Sequence, residues 1–135
     1  MTPYRRAHPR RNEATEIPAE SREAVFTRDH GLCARCFMPG QEWHHRRSRR
    51  VRGPHQHCPC NGVLLCSFCH RWAHNHPVEA QERGFIVSIY EDRPASVPHR
   101  RPDGWWIALC DGGGVALRDD QVQIGGLGRP VLLRA

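Results

Sequence analysis

Two cysteine pairs, Cys33-x2-Cys36 and Cys66-x2-Cys69, constrain this chain more than any other feature. Each pair offers two sulfurs from one tight turn, so the halves together supply the four thiolates of a closed, tetrahedral, structural Zn²⁺ site. They are separated by 29 residues (37–65), so the intervening stretch is expected to loop out as a unit. Four buried cysteines without a metal would leave the matched spacing unexplained. Cys58 and Cys60 form a C-x-C pair that could substitute as ligands, although two complete halves need no help. Cys110 reads as a small core residue. A metal staple also suits a chain of 135 residues, 39% apolar, with 12 glycines and 11 prolines. Such a chain buries little, and metal binding then contributes directly to folding. Seven cysteines in a reducing compartment point to metal and away from disulfides.

The expected architecture is small α+β in one domain with a tail. Residues 1–17 are polar, basic and rich in breakers, and are expected to form a disordered arm. Residues 18–30 suit a helix ended by Gly31, and Trp43–His45 a short strand. The loop 46–61 leads to a buried strand Gly62–Leu65 and a helix from Ser67, interrupted at Asn75-His76-Pro77. Residues 78–83 suit another turn or two capped by Gly84, and Phe85–Tyr90 reads as a strand. The domain therefore spans 18–90. Residues 91–135 form an extension: a Pro- and Arg-rich linker over 92–102, then a β-hairpin turning at Asp111–Gly114. No stretch is long and apolar enough to span a membrane, and the N-terminus lacks the apolar core of a signal peptide. A soluble, cytoplasmic protein is expected.

The formal net charge is +6, and every basic residue is arginine. Arginine suits bidentate phosphate contacts, but GC-rich coding would also replace lysine, so clustering is the better clue. Arg46, Arg47, Arg49, Arg50 and Arg52 lie in a loop without one acidic residue. That loop either grips a nucleic-acid backbone or is simply a solvated surface. Seven of the ten histidines fall between Cys33 and His76. On a helix, His70 and His74 are i and i+4 and share a face, the spacing that offers two nitrogens to one ion. His44 and His45 are adjacent on a strand and point to opposite faces. One can then bind metal while the other does separate work. A lone i,i+4 histidine pair would read as a solvated helix face. The cysteine pairs and His44-His45 favour a second metal site.

The segments "CARC", "WHHRRSR", "CNGVLLCSFCH" and "RWAH" together resemble the HNH endonuclease superfamily, over about residues 21–90. The resemblance implies a ββα-metal fold and a metal-dependent endonuclease hydrolysing DNA phosphodiester bonds. It makes His45 the general base and Asn61 the residue that holds the loop and orients His45. His44 and His70 would ligate the catalytic ion, with His74 as a third ligand. Many members carry Asp where His44 stands, so this chain leans to an all-histidine set. The ion is left open among Zn, Ni, Mn and Mg, with imidazoles favouring the first three. A neutral imidazole is a suitable base at neutral pH, and a cation polarises the phosphate. No base-reading motif is visible, so specificity is expected to be weak or supplied by a protein partner, and oligomeric state is open. Small proteins of this kind are common in phages and prophages, which makes such an origin an expectation. Two other readings remain: a non-catalytic zinc-knuckle module that binds nucleic acid, and a structural or assembly protein.

Overall fold

The two short strands predicted beside the histidine pair form and pair with one another. β1 (Glu42–His45) and β2 (Gly62–Leu65) run antiparallel, with His44 opposite Val63 and His45 opposite Gly62. All four β2 residues are buried, as an apolar GVLL run with little polar surface requires. The glycine opposite His45 is there for space. The Trp43 indole lies across Gly62 so closely that a Cβ would sit 2.1 Å from the ring. The computed structural model describes residues 16–110, 113–124 and 130–132. Residues 1–15 of the expected arm and positions 111–112 of the expected turn lie outside the described residues, as does the Cys110 side chain.

α1 (Ala19–Arg28) packs its end onto β2 through one charged pair. Arg28 grips Asp29 through both guanidinium arms, at 2.8 and 3.0 Å. The same guanidinium donates to the carbonyls of Pro59 and Gly62 at 2.7 Å each. Asp29 in turn accepts the Leu64 N–H at 2.9 Å. The pair thus satisfies backbone groups just before and within β2 as well as its own charges.

α2 (Ser67–Asn75) follows β2 after its N-cap Cys66 and carries Cys69, His70 and His74. His76 breaks it, and Pro77 opens α3 (Pro77–Glu82), a position where proline loses no helical hydrogen bond. Beyond it, Gly84 adopts φ +79°, and a Cβ there would lie 1.9 Å from the Pro98 carbonyl oxygen. Only glycine fits that turn.

Phe85–Tyr90 is not a strand. Its backbone groups are used singly: Val87 donates to the Arg46 carbonyl at 2.9 Å, and the Phe85 carbonyl meets a histidine ring. Phe85 and Val87 bury their side chains, whereas Ile89 and Tyr90 are exposed. Phe85 and Val87 point inward for packing, and no partner strand of matching length faces the segment among the described residues. The expected linker is also more ordered than its composition suggests. It contains a 3-10 turn at Pro94–Ser96 and the short strand β3 (His99–Arg100).

β3 joins β4 (Trp106–Cys110) and β5 (Gly113–Leu117) in a three-stranded antiparallel sheet, order β3-β4-β5. The predicted hairpin is therefore β4–β5, widened by a third strand. β6 (Val122–Ile124) and β7 (Pro130–Leu132) form a further antiparallel pair that the sequence did not suggest. Ile107 and Leu109 of β4 pack in the same core as Val63, Leu65, Ala73 and Phe85. The described residues thus form a mixed α+β structure with three α-helices and small antiparallel sheets. None of these helices is long and apolar enough to cross a membrane.

Candidate functional site

Two side-chain clusters are fastened to α2, one of sulfur and one of imidazole. The Sγ atoms of Cys33, Cys36, Cys66 and Cys69 all lie within 4.8 Å of one another. Cys36 and Cys66 are 3.8 Å apart, close to the edge of about 3.8 Å expected for sulfurs sharing a tetrahedral Zn²⁺ at ~2.3 Å. The first half is a tight knuckle: Cys33 donates its N–H to the Met38 carbonyl at 2.6 Å, and Phe37 adopts φ +62°. In the second half, Cys66 caps α2, its sulfur accepting the Cys69 N–H at 3.4 Å. Arg35 lies over the Trp72 ring at 3.7 Å and donates to the Cys69 sulfur. Burial pushes the Cys69 thiol up to about 12, so its thiolate form needs a cation's charge beside it. The donor set fits zinc.

One turn further along, His70 and His74 of α2 face His44 of β1. One ring nitrogen of each also lies within 4.8 Å of those of the other two, with ring centroids 4.9 to 5.8 Å apart. Each of the two inner rings already has one nitrogen occupied. His44 Nε2 donates to the Phe85 carbonyl at 2.6 Å, and His70 Nδ1 donates to the Glu42 carboxylate at 2.5 Å. The remaining nitrogens, Nδ1 of His44 and Nε2 of His70, are thereby left as lone-pair donors. This is how metal-ligating histidines are usually fixed in tautomer and orientation. Burial lowers the His44 pKa to about 3, which keeps it neutral, as a ligand must be. The donor set fits a divalent ion that accepts nitrogen ligands. Glu42 was missed in the sequence. It lies two residues before His44 on the same strand, and strand alternation puts both on one face, which is the signal that would have found it.

His45 points the other way along β1, sharing its face with Trp43, whose ring meets it edge-on at 4.4 Å. Its Nε2 lies 3.2 Å from Nδ1 of His57, a contact the sequence did not suggest. Burial, followed by the charge of Arg49, lowers the His45 pKa to about 4. The ring is accordingly neutral at pH 7, and the same burial makes it a weaker base than a free imidazole. Asn61, buried, pins the loop that follows. Its Oδ1 accepts the Arg47 N–H at 2.7 Å, and its Nδ2 donates to the carbonyls of Arg47 and Gln56 at 3.3 and 3.0 Å. Its own carbonyl accepts the Arg46 N–H at 2.8 Å. The backbone is thus tied from Arg46 onward, immediately after His45.

An open groove of about 1070 Å³ runs over the imidazole cluster and takes in His44, His45, His70 and His74 together. Arg49 and Arg50 line it as well, facing an apolar wall that includes Val78, Ile89 and Tyr90. Arg49, Arg50 and Arg52 are exposed. Arg46 and Arg47 are not available to phosphate in the way the clustered sequence suggested. Arg46 is only 1% exposed, and its guanidinium donates to the carbonyls of Gly84, Cys60, Pro94 and Val97. Arg47, 5% exposed, donates to the Glu91 carbonyl at 2.7 Å and more weakly to that of Asp92. Both arginines hold segments of the fold against the β1–β2 loop. No protein-family model matches the chain, and no curated protein or solved structure matches it.

Proposed function

We propose that the protein is a metal-dependent endonuclease of the HNH type, hydrolysing DNA phosphodiester bonds. The observation that carries this reading is the single groove that unites three convergent imidazoles with a separate, neutral histidine, His45. The order β1–β2–α2, with the four-cysteine cluster at the base of α2, supports a ββα-metal core stapled by structural zinc. A nucleic-acid module that only binds has no use for a proton acceptor beside a metal-ligand set.

His44, His70 and His74 would hold the catalytic ion, which supplies Lewis-acid polarisation of the phosphate and of the leaving oxygen. His45 takes the proton from the water that attacks phosphorus, and it is unprotonated when substrate arrives. His57 orients the His45 ring, and Asn61 fixes the backbone that follows it. Arg49, Arg50 and Arg52 grip flanking phosphates, a sequence-independent contact that positions DNA without reading it.

The test is cleavage of supercoiled plasmid by folded, zinc-replete protein, desalted of loosely held metal, to which Zn²⁺, Ni²⁺, Mn²⁺ or Mg²⁺ is added. Ion-dependent nicking or linearisation is the expected result. DNA binding without cleavage under every ion would favour the non-catalytic zinc-knuckle module instead.

A further inference from the structure

The β1–β2 loop carries a third cluster of metal-type donors that neither the four-cysteine site nor the imidazole site uses. We propose that His55, Cys58 and Cys60 form an additional Zn²⁺ site, which goes beyond the endonuclease reading and does not depend on it. One ring nitrogen of His55 and the sulfurs of Cys58 and Cys60 lie within 4.8 Å of one another. Two thiolates and an imidazole are a thiophilic set, suited to zinc and unsuited to Mg²⁺ or Ca²⁺.

The local backbone repeats the device seen in the zinc knuckle. Cys58 caps a 3-10 turn (Pro59–Asn61), and its sulfur accepts the Cys60 N–H at 3.4 Å. Cys66 caps α2 and accepts the Cys69 N–H at the same distance. The Cys58 and Cys60 sulfurs are 2.7 Å apart. Seating Zn²⁺ requires them to open to about 3.8 Å, the edge of a tetrahedral sulfur pair at ~2.3 Å. Cys60 is buried while His55 and Cys58 are half-buried, so three protein ligands would leave a fourth position to water. His57 lies between His55 and Cys58 in the chain, so an ion here would tie down the segment that touches His45.

Native mass spectrometry of the full zinc-replete chain, kept reduced, tests this by counting ions per molecule. Cys58→Ser/Cys60→Ser is expected to carry one zinc fewer than wild type while keeping the others. His55→Ala, a change at a half-buried loop residue, covers the event that the double variant misfolds. It is expected to release one zinc at a chelator concentration at least ~10-fold lower than wild type does, since even outer-shell changes cost that much affinity. Equal ion counts and equal chelator sensitivity in all three proteins would overturn the proposal. So would isolation of the wild-type chain with Cys58 and Cys60 joined as a disulfide and no ion bound between them.

Discussion

Replacing Arg46 by Met separates a structural arginine from a phosphate-binding one. The guanidinium donates at 2.8 Å to Gly84, 2.9 Å to Cys60 and 3.2 Å to Pro94, and also to the Val97 carbonyl. Burial lowers its pKa to about 9, so it is charged at pH 7 and donates to all four. Methionine fills much of the volume but leaves four carbonyls without this donor, at ~1–3 kcal/mol each, a gross cost of at least about 4 kcal/mol. Removing a buried cation that has no carboxylate partner among the described residues relieves desolvation and offsets part of that. The expected net loss is about 2–4 kcal/mol, a large share of the ~5–15 kcal/mol typical of a folded domain. Urea unfolding followed by tryptophan fluorescence in zinc-replete buffer measures it directly. A change below ~0.5 kcal/mol, the range of ordinary surface substitutions, together with weakened DNA binding, would refute the reasoning. The guanidinium would then be reaching solvent and phosphate.

Other perturbations have equally distinct outcomes. Arg49, Arg50 and Arg52 exchanged together for Gln should weaken DNA binding across all sequences. The salt dependence should flatten by about one unit of slope for each phosphate that is no longer neutralised, and an unchanged slope in binding titrations would make these residues ordinary surface. Cys66→Ser should abolish the cooperative unfolding transition and release the knuckle zinc, because metal binding is part of the folding free energy; a folded, zinc-loaded variant would contradict the assignment of zinc to the four cysteines. His99 is buried against Phe85, and burial, with Arg46, Arg28 and Arg101 nearby, holds its pKa well below the usual value. Below pH ~6.5 the unfolded chain therefore binds a proton at this ring that the folded one does not, and stability falls as pH falls, by about 1.4 kcal/mol per unit at the steepest. His99→Phe should reduce the difference in urea stability between pH 7.5 and 5.5, whereas an identical difference would mean that His99 titrates normally.

The parts of the fold governed by local chemistry were legible in the sequence. The cysteine spacing pointed to a knuckle, the GVLL run to a buried strand, and Asn75-His76-Pro77 to the break between α2 and α3. The i,i+4 spacing of His70 and His74 put both rings on one helix face, and the resemblance singled out His44 from the His44-His45 pair as the residue that meets them. What was not legible depended on contacts distant in the chain. Arg46 and Arg47 look like members of a solvated basic run until carbonyls from residues 84–97 close around them. Phe85–Tyr90 has the composition of a strand, yet its backbone is taken up singly by Arg46 and His44. His57 reaches His45 only because Asn61 folds the loop back, and β6–β7 carries too short and weak an alternation to stand out.

Cleavage of plasmid DNA under metal titration, compared among wild type, His45→Ala and His70→Ala, tests the division of labour most directly. His45 is assigned to proton transfer and His70 to holding the ion, with Glu42 behind it. His45→Ala should lose ~10²–10⁴-fold in rate with ion content and DNA affinity nearly unchanged, and added metal should not restore it. His70→Ala should lose activity through lost occupancy and recover in part as the ion concentration is raised. Wild-type protein that cuts with no dependence on any divalent ion, or His45→Ala that cuts as fast as wild type, would contradict the account.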